Sequence, residues 1–113
     1  MIRKTAVKYK IGYVPLEDYG INSVAFTLED AIRILDIMEK ELVPILGGDI
    51  YVLDGAELRP TYQNWSCERI DGQDMASFVH DSCTYARKYI KDIKKQFVVV
   101  PSKWLLVELV SFI

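Results

Sequence analysis

The chain has 113 residues, the length of one ordinary domain and too short for two independent cores. Half of it is hydrophobic and 27% is charged, the profile of a globular chain and not of a disordered or low-complexity one. A formal net charge of -2 and an isoelectric point near 5.4 argue against nucleic-acid binding, which calls for a basic face.

The charge is unevenly placed. Residues 21–81 carry four Lys/Arg and twelve Asp/Glu, a balance of -8, between flanks of +2 over residues 1–20 and +4 over residues 82–113. The acidic residues are mixed with apolar ones, which fits a folded segment with a solvated acidic face. The sharper alternative is a docking surface for a basic partner.

From the start of the chain, residues 5–14 alternate apolar with polar around Val7, Tyr9 and Ile11 and predict a strand with one wet face, closed by Pro15. Asp18, Gly20 and Asn22 mark the loop that follows. Thr27 stands at an N-cap position with Glu29 and Asp30 in the first turn, where carboxylates suit the positive end of the helix dipole. Leu28, Ala31, Ile32, Leu35, Met38 and Leu42 then form one apolar stripe, and Pro44 bounds the helix.

Gly47-Gly48 predicts a turn between helix and strand. Asp49–Leu53 and Ala56–Arg59 then flank Asp54-Gly55, the signature of a hairpin whose two-residue turn needs positive φ at both positions. A third, shorter strand is expected around Trp65–Arg69. Asp71-Gly72-Gln73-Asp74 introduces a second helix, with Met75, Phe78, Val79, Ser82, Ala86, Tyr89, Ile90 and Ile93 as its buried stripe. Arg87, Lys88, Lys91, Lys94 and Lys95 crowd its C-terminal end. Phe97–Val100 reads as a buried strand, while Trp104–Ile113 is compatible with strand or helix. These elements predict a single α+β domain over residues 1–113, with two helices packed on one face of a mainly antiparallel sheet of about four to five strands.

The chemistry-bearing residues are few. His80 is the one histidine, and Cys67 and Cys83 are the two cysteines; their spacing is unlike that of a zinc site. No EF-hand pattern occurs among the acidic loops. Gly47-Gly48-Asp49 enters a strand instead of opening a helix, which disfavours a phosphate loop. Neither a metal, nor a cofactor, nor a catalytic residue is expected. No apolar stretch of signal-peptide or membrane-span length is visible, so a cytoplasmic location with free thiols and no membrane partner is expected.

Several strings act together. Pro15-Leu16-x-x-Tyr19-Gly20-Ile21-Asn22-x-Val24-Ala25, Pro44-Ile45-Leu46-Gly47-Gly48-Asp49-Ile50-Tyr51, Tyr62-x-Asn64-Trp65-x-Cys67-Glu68 and Tyr85-Ala86-Arg87-x-Tyr89-Ile90 resemble the pattern of the bacterial Immunity protein 40 family. The resemblance spans roughly residues 15–100. It implies a small cytoplasmic α+β protein, encoded beside a polymorphic or contact-dependent toxin, that binds the toxin's C-terminal domain and neutralises it without catalysis. A basic nuclease would be such a toxin.

The expected binding surface joins Asp54, Glu57, Glu68, Asp71 and Asp74 with Tyr51, Tyr62 and Trp65 as aromatic anchors. Two alternatives stand beside it. A small enzyme or ligand-binding module would gather Asp49, Cys67, Glu68 and His80 around a pocket. A homodimer would pair the apolar segment Trp104–Val107 across a two-fold axis.

Overall fold

The computed structural model describes residues 2–101 and 104–111. In chain order it contains α1 (Ile2–Lys8), β1 (Val14–Pro15), β2 (Val24–Thr27), α2 (Leu28–Lys40), β3 (Ile45–Asp54), β4 (Glu57–Ser66), α3 (Met75–Gln96) and β5 (Leu105–Ser111), with a 3-10 turn at Glu17–Tyr19. The strands form one open antiparallel sheet in the order β1-β2-β5-β3-β4. The fold is α+β, as expected.

Both long helices start where expected, α2 at the Thr27 cap and α3 directly after the polar stretch Asp71-Gly72-Gln73-Asp74. Thr27 Oγ1 accepts from the Asp30 amide at 3.3 Å, and Asp74 Oδ1 accepts from the Ser77 amide at 2.8 Å. Leu28, Ala31, Ile34, Leu35 and Met38 of α2 and Phe78, Val79, Cys83, Ala86, Ile90 and Ile93 of α3 are buried. These stripes include Ile34 and Cys83, which the sequence stripes omitted, and exclude Leu42 and Met75, which are exposed. The reason for Leu42 is local. It follows the last turn of α2 at φ 59, in a motif where its amide bonds Glu39 O and the Val43 amide bonds Met38 O.

The main core lies between the helices and one sheet face, where Phe26, Ile50, Leu105, Val107 and Leu109 meet α2 and α3. The other face is half covered. Residues 14–21 fold over it and bury Leu16, Ala25 and Leu106, with Tyr51, Leu53 and Leu58 packed alongside.

Several local expectations need correction. Residues 5–14 do not form a strand. α1 occupies Ile2–Lys8, with Ile2, Thr5 and Ala6 buried, while Val7 and Tyr9 are exposed; the three- and four-residue spacing wins over the alternation. Pro15 lies within the two-residue strand β1, paired with Val24. Gly47 and Gly48 lie inside β3 and are paired on both sides. The hairpin turn is shifted by one residue, because Asp54 pairs with Glu57 and leaves Gly55-Ala56 in the centre. Only Gly55 has positive φ there, at 61°. No separate third strand forms around Trp65–Arg69: Trp65 and Ser66 end β4, which runs on through Pro60, and Cys67–Arg69 lie in no strand; an edge strand tolerates the missing amide.

Phe97–Val100 is a turn, with Val98 76% and Val99 90% exposed. Trp104–Ile113 resolves to the strand Leu105–Ser111, and Phe112 and Ile113 lie outside the described residues. β5 pairs with β2 on one side and β3 on the other. Leu105, Leu106 and Val107 are buried, and Leu106 and Val107 pair on both sides, so this stretch is an inner part of the sheet and not an exposed apolar tail.

Candidate protein-binding surface

β4 is an edge strand with an interrupted ladder. Glu57–Pro60 pair with Asp54–Tyr51, and Asn64–Ser66 pair with Asp49–Gly47. Between them, four residue steps from Pro60 to Asn64 face two from Tyr51 to Asp49, so β4 carries two extra residues in a bulge. Thr61 Oγ1 fastens the bulge by donating to Ile50 O at 2.8 Å and accepting from the Gln63 amide at 3.1 Å. Tyr62 stands at its crest with φ 63 and 85% exposure.

The other expected anchors differ in setting. Trp65 is 6% exposed and lies on the helix side, 4.6 Å from the Tyr89 ring. Its ring covers Gly48 so closely that a Cβ there would fall 2.3 Å from Cη2. That contact explains the glycine, and it makes Trp65 a core residue instead of a surface anchor. Tyr89 in turn stacks with Tyr85, at 6.5 Å between centroids, and Tyr85 is half exposed. Tyr51 lies on the opposite sheet face, where its hydroxyl donates to Glu108 Oε1 at 3.0 Å. Burial, followed by that bond, pushes its pKa well above the ordinary tyrosine value and keeps it a donor. Glu108 escaped the sequence reading because only the β3–β5 register brings it to Tyr51.

The five carboxylates do not form one patch. Asp54 and Glu57 close the hairpin, and Arg59 bridges both at 3.3 and 3.0 Å. Glu68, Asp71 and Asp74 lie in the loop beyond the other end of β4, all exposed. Seven steps along β3 separate the ends of this ladder, about 23 Å at the usual rise of ~3.3 Å. The acidic groups therefore flank the bulged edge, one group at each end. Arg69, the cation inside the second group, is engaged through Nε with Gln73 O at 2.7 Å.

The residues of the enzyme alternative point elsewhere. Cys67 and Glu68 line a shallow cleft of about 300 Å³ with Ile70, Gln73, Asp81 and Tyr85, and neither Asp49 nor His80 lines it. Burial pushes the Cys67 thiol up, away from the reactive thiolate. His80 Nδ1 lies 3.1 Å from Glu39 Oε2 on α2, in a network where Arg87 reaches Asp36 at 3.0 Å and Glu39 Oε1 at 2.7 Å. Glu39 Oε1 is buried without an aligned hydrogen bond, so the ion pair is what compensates it. The His80 and Arg87 contacts hold the Glu39 carboxyl below the usual glutamate range. This cluster fastens α2 to α3. Among the described residues, no three His, Cys, Asp or Glu side chains gather as a metal site, and no helix is long and apolar enough to cross a membrane.

The edge strand β4 is thus bulged, carries the exposed Tyr62 and has acidic residues beyond both ends. Among known families, the model of Immunity protein 40 matches residues 15–101, most of the chain. The chain belongs to the Immunity protein 40 family. No curated protein and no solved structure matches it.

Proposed function

We propose that this protein is a cytoplasmic immunity protein that binds the C-terminal domain of a bacterial polymorphic or contact-dependent toxin and neutralises it by occupying its surface, with no reaction of its own. Family membership over residues 15–101 is the observation that carries the proposal. The binding surface comprises Tyr51, Asp54, Glu57, Tyr62, Glu68, Asp71 and Asp74, with Trp65 beneath it as support. A stable complex of this kind buries on the order of 800 Å² per partner. The carboxylates at both ends of β4 favour a basic toxin. A nuclease is such a toxin, because it must itself attract phosphate.

The test is co-expression with the toxic domain encoded beside this chain's gene. Rescue of growth and a co-eluting complex are expected. Charge reversal of Asp54, Glu57, Glu68, Asp71 and Asp74 should slow association and flatten its salt dependence. Absence of both rescue and complex overturns the immunity role, and an unchanged association rate in the reversed variant overturns the acidic steering.

A further inference from the structure

Lys10, Leu42 and Tyr62 are the non-glycine residues with positive φ among the described residues. Two of them have a local cause. Lys10 and Leu42 each follow a helix end, where paired backbone bonds to Val7 O and Ala6 O, or to Glu39 O and Met38 O, compensate the left-handed residue. Tyr62 ends no helix. It adopts φ 63 within a strand, a conformation that costs an L-residue stability and that glycine or asparagine accepts readily.

The fold gains little from a tyrosine at this point. Its side chain is 85% exposed, so it adds almost nothing to the core. The bulge is not needed for register either. It inserts an even number of residues, and without them Leu58, Pro60, Asn64 and Trp65 would keep their present sheet faces. What the bulge does is expel Tyr62 from the ladder, while Thr61 fixes its base through Ile50 O and the Gln63 amide. A strained, solvent-facing aromatic on a pinned base is arranged for an external contact.

We propose that Tyr62 is the principal anchor of this protein on its partner, entering an apolar pocket of the toxin domain whose rim is cationic. The proposal rests on the immunity role above. The cationic rim follows from charge complementarity. Asp54 and Glu57 stand at one end of β4 with Arg59 bridging them, and Glu68, Asp71 and Asp74 stand at the other beside Arg69, so five carboxylates against two cations leave this edge with a negative balance. Strand addition is a poor mode for this edge, because Pro60 lacks an amide and the bulge breaks the ladder. Docking is therefore led by the side chain, and a Lys or Arg of the rim can also meet the ring face.

The test compares wild type, Tyr62→Gly and Tyr62→Phe against an inactivated form of the toxic domain encoded beside the gene, by calorimetric titration and thermal unfolding. Tyr62→Gly should weaken binding at least about 30-fold, the size of a hot-spot loss, with an unchanged or higher unfolding midpoint because the strain is relieved. Tyr62→Phe should retain most of the affinity. Binding by Tyr62→Gly within about threefold of wild type overturns the anchor. A lowered midpoint in Tyr62→Gly overturns it too, since the tyrosine would then serve the fold. If wild type itself fails to bind or protect, the immunity role falls and the anchor with it.

Discussion

Substituting Gly48 by alanine tests whether Trp65 sets the position of β4 on the sheet. The added Cβ would lie 2.3 Å from Trp65 Cη2, 2.7 Å from Cζ3 and 2.9 Å from Glu108 O, against ordinary carbon contacts of about 3.5–4.0 Å. The ring would have to retreat by more than ~1 Å. It has little room, being 6% exposed and held against Tyr89. Overpacking of this kind costs about 1–3 kcal/mol. Exposing even a quarter of the ~200 Å² of a tryptophan adds roughly 1 kcal/mol at ~25 cal/mol per Å². Alanine recovers about 0.4–1 kcal/mol by restricting the unfolded chain, so the net expectation is roughly 1–3.5 kcal/mol, or about 4–14 °C in the midpoint. Denaturant unfolding followed by far-ultraviolet circular dichroism measures this without relying on Trp65 fluorescence. In a Trp65→Phe background, which lacks the two colliding ring atoms, Gly48→Ala should cost at least ~1 kcal/mol less. A cost below ~0.5 kcal/mol in wild type, or an equal cost in both backgrounds, would refute this account.

Two further predictions concern the fastening of the helices. Ser82 Oγ accepts from the buried Ile45 amide at 3.1 Å and donates to Val79 O at 3.2 Å; Ser82→Ala leaves that amide unpaired and should cost about 1–3 kcal/mol in denaturant unfolding. Glu39 has a folded-state pKa below its ordinary 4.5. Its ion pairs should therefore add stability that is present above that ordinary value and is lost as pH falls through the lower folded one. Glu39→Gln should remove this part of the acid dependence, and identical slopes of midpoint against pH in the two proteins would count against it.

Legibility in the sequence followed the range of the interactions. α2 and α3 were readable because their caps and stripes are local: Thr27 bonds the third residue of its helix and Asp74 does the same. α1 was misread. At seven residues it is too short to hold itself, and its shape is set by packing against α2, which the alternation of Val7, Tyr9 and Ile11 does not encode. Phe97–Val100 has the composition of a strand, yet these residues form a turn after α3 in which Phe97 and Val100 pack against the main core while Val98 and Val99 face solvent. Gly47-Gly48 carried a real signal, read as a turn; its cause is the Trp65 ring and backbone lying over β3, a contact seventeen or more residues away. At the candidate surface, residue types were legible, but not the bulge that lifts Tyr62, the burial of Trp65, or the separation of the carboxylates. All three follow from the β3–β4 register.

The sheet order places β5 between β2 and β3, although β5 follows the other four strands of the described residues. During synthesis, the pair β1-β2 and the hairpin β3-β4 leave the ribosome without the strand that joins them. Until residues 105–111 emerge, the apolar faces of both halves have no common sheet, and the chain stays open to proteases and chaperones. A shortened translation product that stops before β5 would keep the residues of the β3-β4 hairpin but lack the strand that joins it to β1-β2.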